Sequence, residues 1–308
     1  KFMISKPIFT IFTPTYNRKK YLDLVFKSLN NQRLFYLFEW LIIDDGSIDG
    51  TFNLVKQLKK KSKFKINYFY QSHSGKHIAH NNAISKANGE LIIFLDSDDQ
   101  ILPETINYLS KIWNKKNLKQ KREIAGFLAH CVDKNKNIIG KKWPLNLKKA
   151  YLHELIFKNL IIGEKMPIYR TDVLKKYMFI KNKMPKNVHI PETIVWLEIS
   201  KKYKVELLNK PCRYYFYNNK GIIARDKKFT KNLVGKILVN QKLEEFVHKY
   251  FFVNLFFVSK ILINKIVFSL LDEKISLFNT RKFPIYIRIF YLTLIPISLI
   301  KLFILTKK

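Results

Sequence analysis

The chain has 308 residues and carries 57 Lys and Arg against 23 Asp and Glu, a formal net charge of +34. Hydrophobic residues make up 47% of it and aromatic residues 15%, which excludes a disordered chain and allows a sizeable core. Such an excess of positive charge indicates a polyanionic partner: nucleic acid, anionic lipid or a phosphate-bearing substrate. We expect no nucleic acid, because the lysines are scattered and accompany no motif that reads a groove.

The first hundred residues alternate between strand and helix patterns. The predicted strands are residues 8–13, 39–43, 64–70 and 90–95. The polar segments that follow them are residues 14–18, 44–51, 71–77 and 96–100. Repeated β-loop-α units predict a parallel sheet with right-handed crossovers, so these four loops should meet at one edge of the sheet.

The loop after the fourth predicted strand contains three carboxylates within four residues, Asp96, Asp98 and Asp99. Like charges this close suppress one another's ionisation unless a cation neutralises them. Oxygen ligands suit a hard divalent ion that also holds substrate phosphates, so Mn²⁺ or Mg²⁺ is the expected partner. The alternative is a solvated turn, with Asp99 capping a helix that begins near Pro103.

The middle of the chain, residues 124–230, is less regular. Its predicted strands are residues 124–132, 205–208 and 212–217, and its predicted helices are residues 148–158 and 190–201. We interpret this part as the second half of the same domain. It contains both cysteines, Cys131 and Cys212, which lack metal or redox spacing and are typical of reduced cytosolic thiols. With no apolar signal at the start, these features predict a cytoplasmic protein.

From residue 231 on, the chain contains two strongly apolar segments, 250–271 and 285–306. Lys260 and Lys265 interrupt the first, and the whole region has thirteen Lys and Arg against four Asp and Glu. Apolar helix faces edged with basic side chains are typical of helices in a membrane interface, attracted to anionic lipid. The alternatives are an ordinary helical pair packed on the main domain and an oligomer contact.

Four short motifs occur in sequence order in the first hundred residues. They are Thr-Pro-Thr-Tyr-Asn-Arg at 13–18, Ile-Asp-Asp-Gly-Ser at 43–47, Gly-Lys-His at 75–77 and Leu-Asp-Ser-Asp-Asp at 95–99. Their wording and spacing resemble the family 2 glycosyltransferases of the GT-A fold, of the type that builds bacterial surface polysaccharides. The resemblance implies a nucleotide-sugar donor, a divalent metal and inversion at the anomeric carbon.

The resemblance also implies the fold class: α/β, with a Rossmann-like, mostly parallel central sheet flanked by helices and a C-terminal helical extension. Residues 1–123 would form the nucleotide-sugar-binding half of the GT-A domain. Residues 124–230 would form the acceptor-binding half, and residues 231–308 an amphipathic helical region associated with the membrane.

In the donor site that the resemblance implies, Pro14 and Tyr16 would wall the nucleoside, and Arg18 belongs to the same motif. Either Asp44 or Asp45 would accept the uracil N3–H, because a carboxylate matches an imide donor. The sequence does not distinguish between the two. The alternative is that this segment forms only a turn and a helix cap.

The phosphates and the metal would be held by the remaining donor-site residues. Lys76 lies where a cation can meet the pyrophosphate, although it is one of many lysines. Asp98 is the expected direct metal ligand, and Asp96 would reach the ribose, or the metal through water. Asp99 would be a supporting residue or a cap. The ion would stabilise charge on the departing nucleoside diphosphate as a Lewis acid and template.

Inversion also requires a general base on the face opposite the leaving group. The resemblance places this carboxylate at a helix start well after the metal motif, where Glu192 is the best match and Trp196 would stack against a sugar ring. The alternative makes Glu192 a favourable charge at a helix N-terminus. Glu164 is the reserve candidate. Residues 217–222 resemble a loop that closes over donor phosphates.

These observations together favour a metal-dependent inverting glycosyltransferase that moves a sugar from a UDP-sugar to a glycan hydroxyl in capsule, lipopolysaccharide or cell-wall synthesis. The expected partners are the donor, a polyprenyl-linked glycan acceptor and an anionic membrane surface, with the protein peripheral on the inner face of the plasma membrane. Two alternatives stay open. One is a nucleotidyl- or phosphotransferase on a similar sheet, and the other is a non-enzymatic basic module that binds membrane or nucleic acid.

Overall fold

A computed structural model of the chain describes residues 6–179, 185, 186, 188–216, 232–272, 277 and 279–306. Two compact units make up the chain. The first comprises Lys1–Tyr151, Ile161–Val188 and Ile199–Asn218. The second comprises Leu152–Leu160, His189–Glu198 and Asn219–Lys308. The phosphate-covering loop predicted at 217–222 lies outside the described residues.

The first unit begins with the alternating strands and helices that the sequence predicts. These are β1 Phe9–Thr15, α1 Lys19–Asn30, β2 Phe38–Asp44, α2 Thr51–Lys61, β3 Lys65–Tyr70, α3 Lys76–Lys86 and β4 Leu91–Phe94. The four strands are parallel in the order β3-β2-β1-β4. Thr15 pairs with Asp44, and Asp44 pairs with Tyr70, so three strands end level with one another. Their polar loops therefore leave the sheet at the same edge.

Continuous apolar strands explain why this half of the sheet is buried on both faces. Every residue of β2 and β4 is buried, a pattern of parallel strands covered by helices on both sides. On α1 the buried residues Leu22, Val25, Phe26 and Leu29 recur at helical spacing, and they belong to the main core of the unit.

The rest of the sheet combines parallel and antiparallel strands. Its elements continue as β5 Gln100–Ile101, α4 Thr105–Asn114, α5 Leu118–Glu123, β6 Ile124–Val132, β7 Lys149–Ala150, α6 Leu152–Phe157, β8 Lys165–Arg170, α7 Thr171–Leu174, α8 Thr193–Ile199 and β9 Lys204–Tyr214. Strand β8 lies antiparallel between β4 and β6, and β9 runs parallel to β6. The helix predicted at 148–158 is the shorter α6, since Lys149–Ala150 form strand β7, and the helix predicted at 190–201 is the shorter α8. Helix α6 and residues 193–198 of α8 belong to the second unit.

The longer strands of this half also differ from the sequence prediction. Residues 205–208 and 212–214 of two predicted strands belong to one strand, β9, because a local register shift against β6 absorbs the interruption before Pro211. Strand β9 ends at Tyr214, and residue 217 of the second predicted strand lies outside the described residues. Strand β8 was not predicted, since Pro167 in its middle is a residue that normally argues against a strand.

The second unit is helical. Its later helices are α9 Leu233–Glu244, α10 Val247–Tyr250, α11 Leu255–Leu271, α12 Ile285–Thr293 and α13 Ile295–Thr306. They share a core with α6 and α8 that includes Phe157, Leu197, Leu262 and Tyr291. Lys265 is buried in this unit and lies 3.4 Å from the Glu244 carboxylate, so it does not belong to a solvated helix face.

The C-terminal helices are apolar but individually short. Among the described residues, no single helix has both the length and the apolar composition of a membrane span. The bent pair Ile285–Thr293 and Ile295–Leu305, with an angle of 47° between its helices, meets these criteria only when the two are taken together.

Candidate functional site

The loops after β1 and β2 are joined by bonds between side chains and backbone. The backbone N–H of Asn17 donates to Ser47 Oγ (2.8 Å), and Ile48 N–H donates to Asn17 Oδ1 (2.9 Å). The N–H of Lys19 donates to Asp49 Oδ2 at 2.9 Å. Each bond satisfies a backbone N–H that has no partner in the sheet, and together the bonds hold the loop after β1 against residues 47–49 of the loop after β2.

Asp44 is buried at the end of β2 with both carboxylate oxygens bonded inside the protein. Oδ1 accepts from the N–H of Ser47 at 2.8 Å, and Oδ2 accepts from the hydroxyl of Tyr68 at 2.7 Å. Burial, together with the negative charge of Asp44, raises the pKa of Tyr68 and keeps the phenol a proton donor. Asp44 therefore closes the turn after β2 and links it to β3.

Asp45 organises the neighbouring loop. Its Oδ1 accepts from Gln71 Nε2 (2.6 Å) and from the N–H of Ser74 (2.9 Å), and its Oδ2 accepts from the N–H of Gly75 (2.9 Å). The ring nitrogen Nδ1 of His73 also lies 2.9 Å from Oδ2. One carboxylate thus fixes residues 71–75, the segment that leads directly into α3.

An aromatic surface lies beside this loop. The ring of Tyr16 is stacked on that of His73, with centroids 4.2 Å apart and planes 16° apart. Tyr16 is 44% exposed, and Pro14 is half-buried at the end of β1. A flat, partly exposed ring held by a partner offers a stacking surface for a planar ligand group.

The carboxylates of Asp96 and Asp98 each contact a cation from another segment. Arg18 Nη1 lies 2.9 Å from Asp98 Oδ2, and Lys76 Nζ lies 2.8 Å from Asp96 Oδ1. These four side chains come from the loops after β1 and β4 and from the start of α3. Four of the predicted site residues therefore meet at the carboxyl edge of the parallel strands.

The third carboxylate of this loop faces the interior. Asp99 is buried, its Oδ2 lies 3.2 Å from Arg213 Nη1, and its Oδ1 accepts from the N–H of Phe216 at 3.2 Å. Burial raises the pKa of Asp99, and the Arg213 guanidinium acts in the opposite direction. The same guanidinium lies 3.0 Å from Glu164 Oε1. Asp99 therefore anchors residues 96–100, which we call the acidic loop.

Sequence reasoning missed Arg213. This residue lies on β9, is buried, and ties the acidic loop to the start of β8. A lone arginine inside an apolar strand pattern was the available signal, because a buried guanidinium requires a carboxylate partner.

The carboxylate oxygens of the loop after β4 suit a divalent ion whose other coordination positions are filled by substrate phosphates and water. The side chains of Asp96 and Asp98 are 44% and 20% exposed, so both carboxylates can be reached from solvent. Within the described ranges, no group of three or more His, Cys, Asp or Glu is arranged to hold a metal. Mg²⁺ and Mn²⁺ sites of this kind take one or two carboxylates and add substrate phosphates and water. The residues present fit such an ion.

The candidate general bases lie in different units. Glu164 belongs to the first unit and is bound to Arg213. Glu192 lies in the second unit just before α8, where its backbone carbonyl accepts from the N–H groups of Val195 and Trp196. Its role as the base stays a prediction.

The sequence profile of glycosyl transferase family 2 matches residues 10–178, more than half of the chain. The chain belongs to glycosyl transferase family 2. This confirms the family inferred from the four loop motifs. The matched segment contains the donor-site residues predicted from the four motifs and ends before Glu192, Arg213 and the loop predicted at 217–222.

Two curated relatives illustrate the range of this similarity. The chain is 27% identical over 265 residues to TarS of Staphylococcus aureus strain MW2, a poly(ribitol-phosphate) β-N-acetylglucosaminyltransferase, covering 78% of this chain and 42% of TarS. It is 26% identical over 212 residues to the Campylobacter jejuni GalNAc(5)-diNAcBac-PP-undecaprenol β-1,3-glucosyltransferase, covering 68% of this chain and 64% of that protein. The chain thus spans less than half the length of TarS.

Solved structures confirm the predicted GT-A fold class. Residues 1–349 of S. aureus TarS, solved with UDP-GlcNAc, align with a TM-score of 0.52 at 20% identity, covering 87% of this chain and 82% of that one. A mannosyltransferase from Pyrobaculum calidifontis, solved with GDP-Man and Mn²⁺, aligns with a TM-score of 0.52 at 16% identity, covering 88% and 76%. At 20% and 16% identity, these two alignments show similarity of fold alone.

Proposed function

We propose that this family 2 protein is a metal-dependent inverting glycosyltransferase that moves a sugar from a UDP-sugar to a hydroxyl of a bacterial surface glycan. The observation that carries the proposal is the meeting of Asp96 and Asp98 with Arg18 and Lys76 at one sheet edge. Carboxylates for a metal and cations for phosphates are the two sets of groups that a nucleoside diphosphate requires. Family membership and the UDP-GlcNAc complex of TarS support the choice of donor.

The proposed donor site uses the loops described above. The exposed face of Tyr16 stacks on the base or ribose, next to Pro14. Because the oxygens of Asp44 and Asp45 are already bonded within the protein, either residue contacts the uracil only by sharing an acceptor that it now uses locally. Lys76 then turns from Asp96 toward the pyrophosphate.

The chemical step requires a base and a stabilised leaving group. A metal held by Asp98 and Asp96 would act as a Lewis acid on the diphosphate. We propose that Glu192 takes the proton of the acceptor hydroxyl, with Glu164 as the reserve base. In this arrangement residues 1–123 bind the donor, and residues 124–230 bind the acceptor.

Donor binding is the decisive test of the proposal. Calorimetric titration of a panel of nucleotide sugars should find one UDP-sugar that binds with Mn²⁺ or Mg²⁺ and does not bind in EDTA. Asp98→Asn should lower the metal-dependent affinity by about 100-fold or more, since even outer-shell changes at metal sites cost about 10–100-fold.

The matched control is Asp172→Asn, at an exposed carboxylate paired with Arg170, which should bind the donor like the wild type. If no nucleotide sugar binds and Asp98→Asn behaves like the control, the carboxylates are structural and the proposal is wrong. Metal-dependent turnover of a nucleoside triphosphate without sugar transfer would indicate the nucleotidyl- or phosphotransferase alternative.

We also propose a lipid-linked acceptor and a peripheral position on the inner face of the plasma membrane. Apolar side chains of the second unit are exposed, with Phe252 and Phe256 exposed by 84% and 83%, and Phe252 stacks on Tyr286 with centroids 5.7 Å apart. Basic residues such as Lys249 and Arg288 occur on neighbouring helices. An apolar surface with positive charge nearby is suited to an anionic bilayer. The name of the Campylobacter relative, with its undecaprenol-linked glycan, supports the acceptor class.

The double variant Phe252→Ser/Phe256→Ser should bind vesicles of phosphatidylglycerol at least about tenfold more weakly than wild type. Each exposed phenyl ring that enters the bilayer gains about 1.5–3 kcal/mol at full burial, so two rings account for more than one factor of ten. Co-sedimentation measures the effect, with Leu145→Ser as the control at an 89% exposed leucine of the first unit. Equal binding by all three proteins would contradict the membrane proposal.

A further inference from the structure

We propose that Arg18 and Lys76 are internal counter-ions of the metal site, which neutralise Asp98 and Asp96 until metal and donor enter together. This inference rests on the proposed function and adds a mode of regulation to it. Its consequence is that the metal alone binds weakly, and that metal and nucleoside diphosphate bind cooperatively.

The geometry of the two ion pairs is the first observation. Each cation is within hydrogen-bond distance of one carboxylate, at 2.9 Å for Arg18–Asp98 and 2.8 Å for Lys76–Asp96. The side chains of Arg18 and Lys76 are only 22% and 23% exposed, so solvent screens these pairs less than it screens a typical surface pair. A metal ion that approached the same oxygens would first have to displace the two cations.

Both cations are carried by backbone that is held in place. Arg18 follows the segment that Asn17 fastens to the β2 loop through bonds of 2.8 and 2.9 Å. Lys76 follows Gly75, whose N–H is bound to the Asp45 carboxylate. Displacement therefore requires rotation of the long side chains about a fixed backbone, which keeps both cationic groups near the site after release.

The charges of this cluster give the physical reason for cooperativity. Two carboxylates and two cations sum to zero in Arg18, Lys76, Asp96 and Asp98. A divalent ion alone would raise this sum to about +2, because it neutralises the two carboxylates and leaves the two displaced cations unbalanced, which is unfavourable in a partly buried site. A diphosphate diester brings about two negative charges and returns the sum to zero. Its oxygens are also good acceptors for the released guanidinium and ammonium groups.

Manganese binding in the absence of sugar transfer tests this inference. Electron paramagnetic resonance of free Mn²⁺ would be recorded for wild type, Arg18→Gln and Lys76→Gln, first without nucleotide and then with saturating UDP. The Mn²⁺ that UDP binds in a protein-free titration would be subtracted. Wild type should bind Mn²⁺ about 5–100-fold more tightly with UDP, within the usual range of coupling between sites. Both variants should bind Mn²⁺ alone about 5–10-fold more tightly than wild type and gain less from UDP.

The control variant is Lys27→Gln, which removes one positive charge from an exposed ion pair with Asp23 and should leave Mn²⁺ affinity unchanged. Circular dichroism confirms that each variant is folded, and either variant alone decides the question. If either folded variant binds Mn²⁺ alone no better than wild type, the counter-ion inference is wrong. If both bind Mn²⁺ better while UDP has no effect on any protein, Arg18 and Lys76 are counter-ions of the carboxylates, but the cooperativity and the proposed UDP donor are wrong.

Discussion

Replacing Arg213 by methionine should lower the free energy of unfolding by about 3–5 kcal/mol, the usual cost of removing one partner of a buried ion pair. Arg213 and Asp99 are 3% and 1% exposed, and their charged atoms lie 3.2 Å apart. Methionine fills much of the space but leaves the Asp99 carboxylate buried without its cation. Glu164 is half-exposed and will be rehydrated at small cost.

A double-mutant cycle separates the ion pair from general packing. Asp99→Asn removes the buried charge, so the double variant Arg213→Met/Asp99→Asn should be less destabilised than the sum of the single variants. Urea unfolding gives all four free energies. The control is Arg33→Met, whose ion pair with Glu104 is exposed and should contribute less than about 1 kcal/mol. Additive single effects, or a loss at Arg213 no larger than at Arg33, would contradict the anchoring role.

Asp45→Asn should destabilise the protein by about 2–4 kcal/mol although the two side chains have nearly the same shape. In the carboxylate, both oxygens accept, Oδ1 from Gln71 and Ser74 and Oδ2 from Gly75. An asparagine must turn its Nδ2 donor toward donors on one of these two sides. The backbone N–H of either Ser74 or Gly75 is then left without its acceptor, at about 1–3 kcal/mol, and a charge-assisted bond is lost besides.

The same substitution should weaken donor binding. Asp45 fixes the loop that positions Lys76 and that holds His73 against the ring of Tyr16. Urea unfolding measures the first effect, and calorimetry with Mn²⁺ and UDP measures the second. Asp23→Asn provides the control at an exposed helix pair with Lys27, where about 0.3–0.5 kcal/mol is expected. Unchanged stability in Asp45→Asn would show that the loop does not depend on this carboxylate.

Local patterns in the sequence were sufficient for most strands and helices of the first unit. Strand β6 begins and ends at the predicted residues, Ile124 and Val132, because a continuous apolar run identifies a doubly covered strand without knowledge of its neighbours. The four loop motifs were likewise enough to identify the family, since each motif is a short segment whose residue types are set by its own chemistry. Gly46 illustrates this, because its φ of +92° is a backbone conformation that favours glycine after Asp45.

Contacts between distant segments were decided only by the tertiary structure. Strand β8 carries Pro167, and its place in the sheet depends on pairing with β4 and β6 rather than on its own propensity. A lysine such as Lys265 is typical of a solvated helix face, yet here it is buried because the Glu244 carboxylate lies beside it.

The candidate site also combines features that are local in the sequence with contacts between distant segments. The sequence by itself determined the family, the fold class and the residues Asp96, Asp98, Arg18 and Lys76 as donor-site candidates, because residue chemistry and strand-loop order are local properties. Only the tertiary structure paired Arg18 with Asp98 across 80 positions and placed Arg213 under the acidic loop. The reason is physical: an ion pair depends on separation in space, and the order of strands in the sheet determines which loops come within about 4 Å of one another.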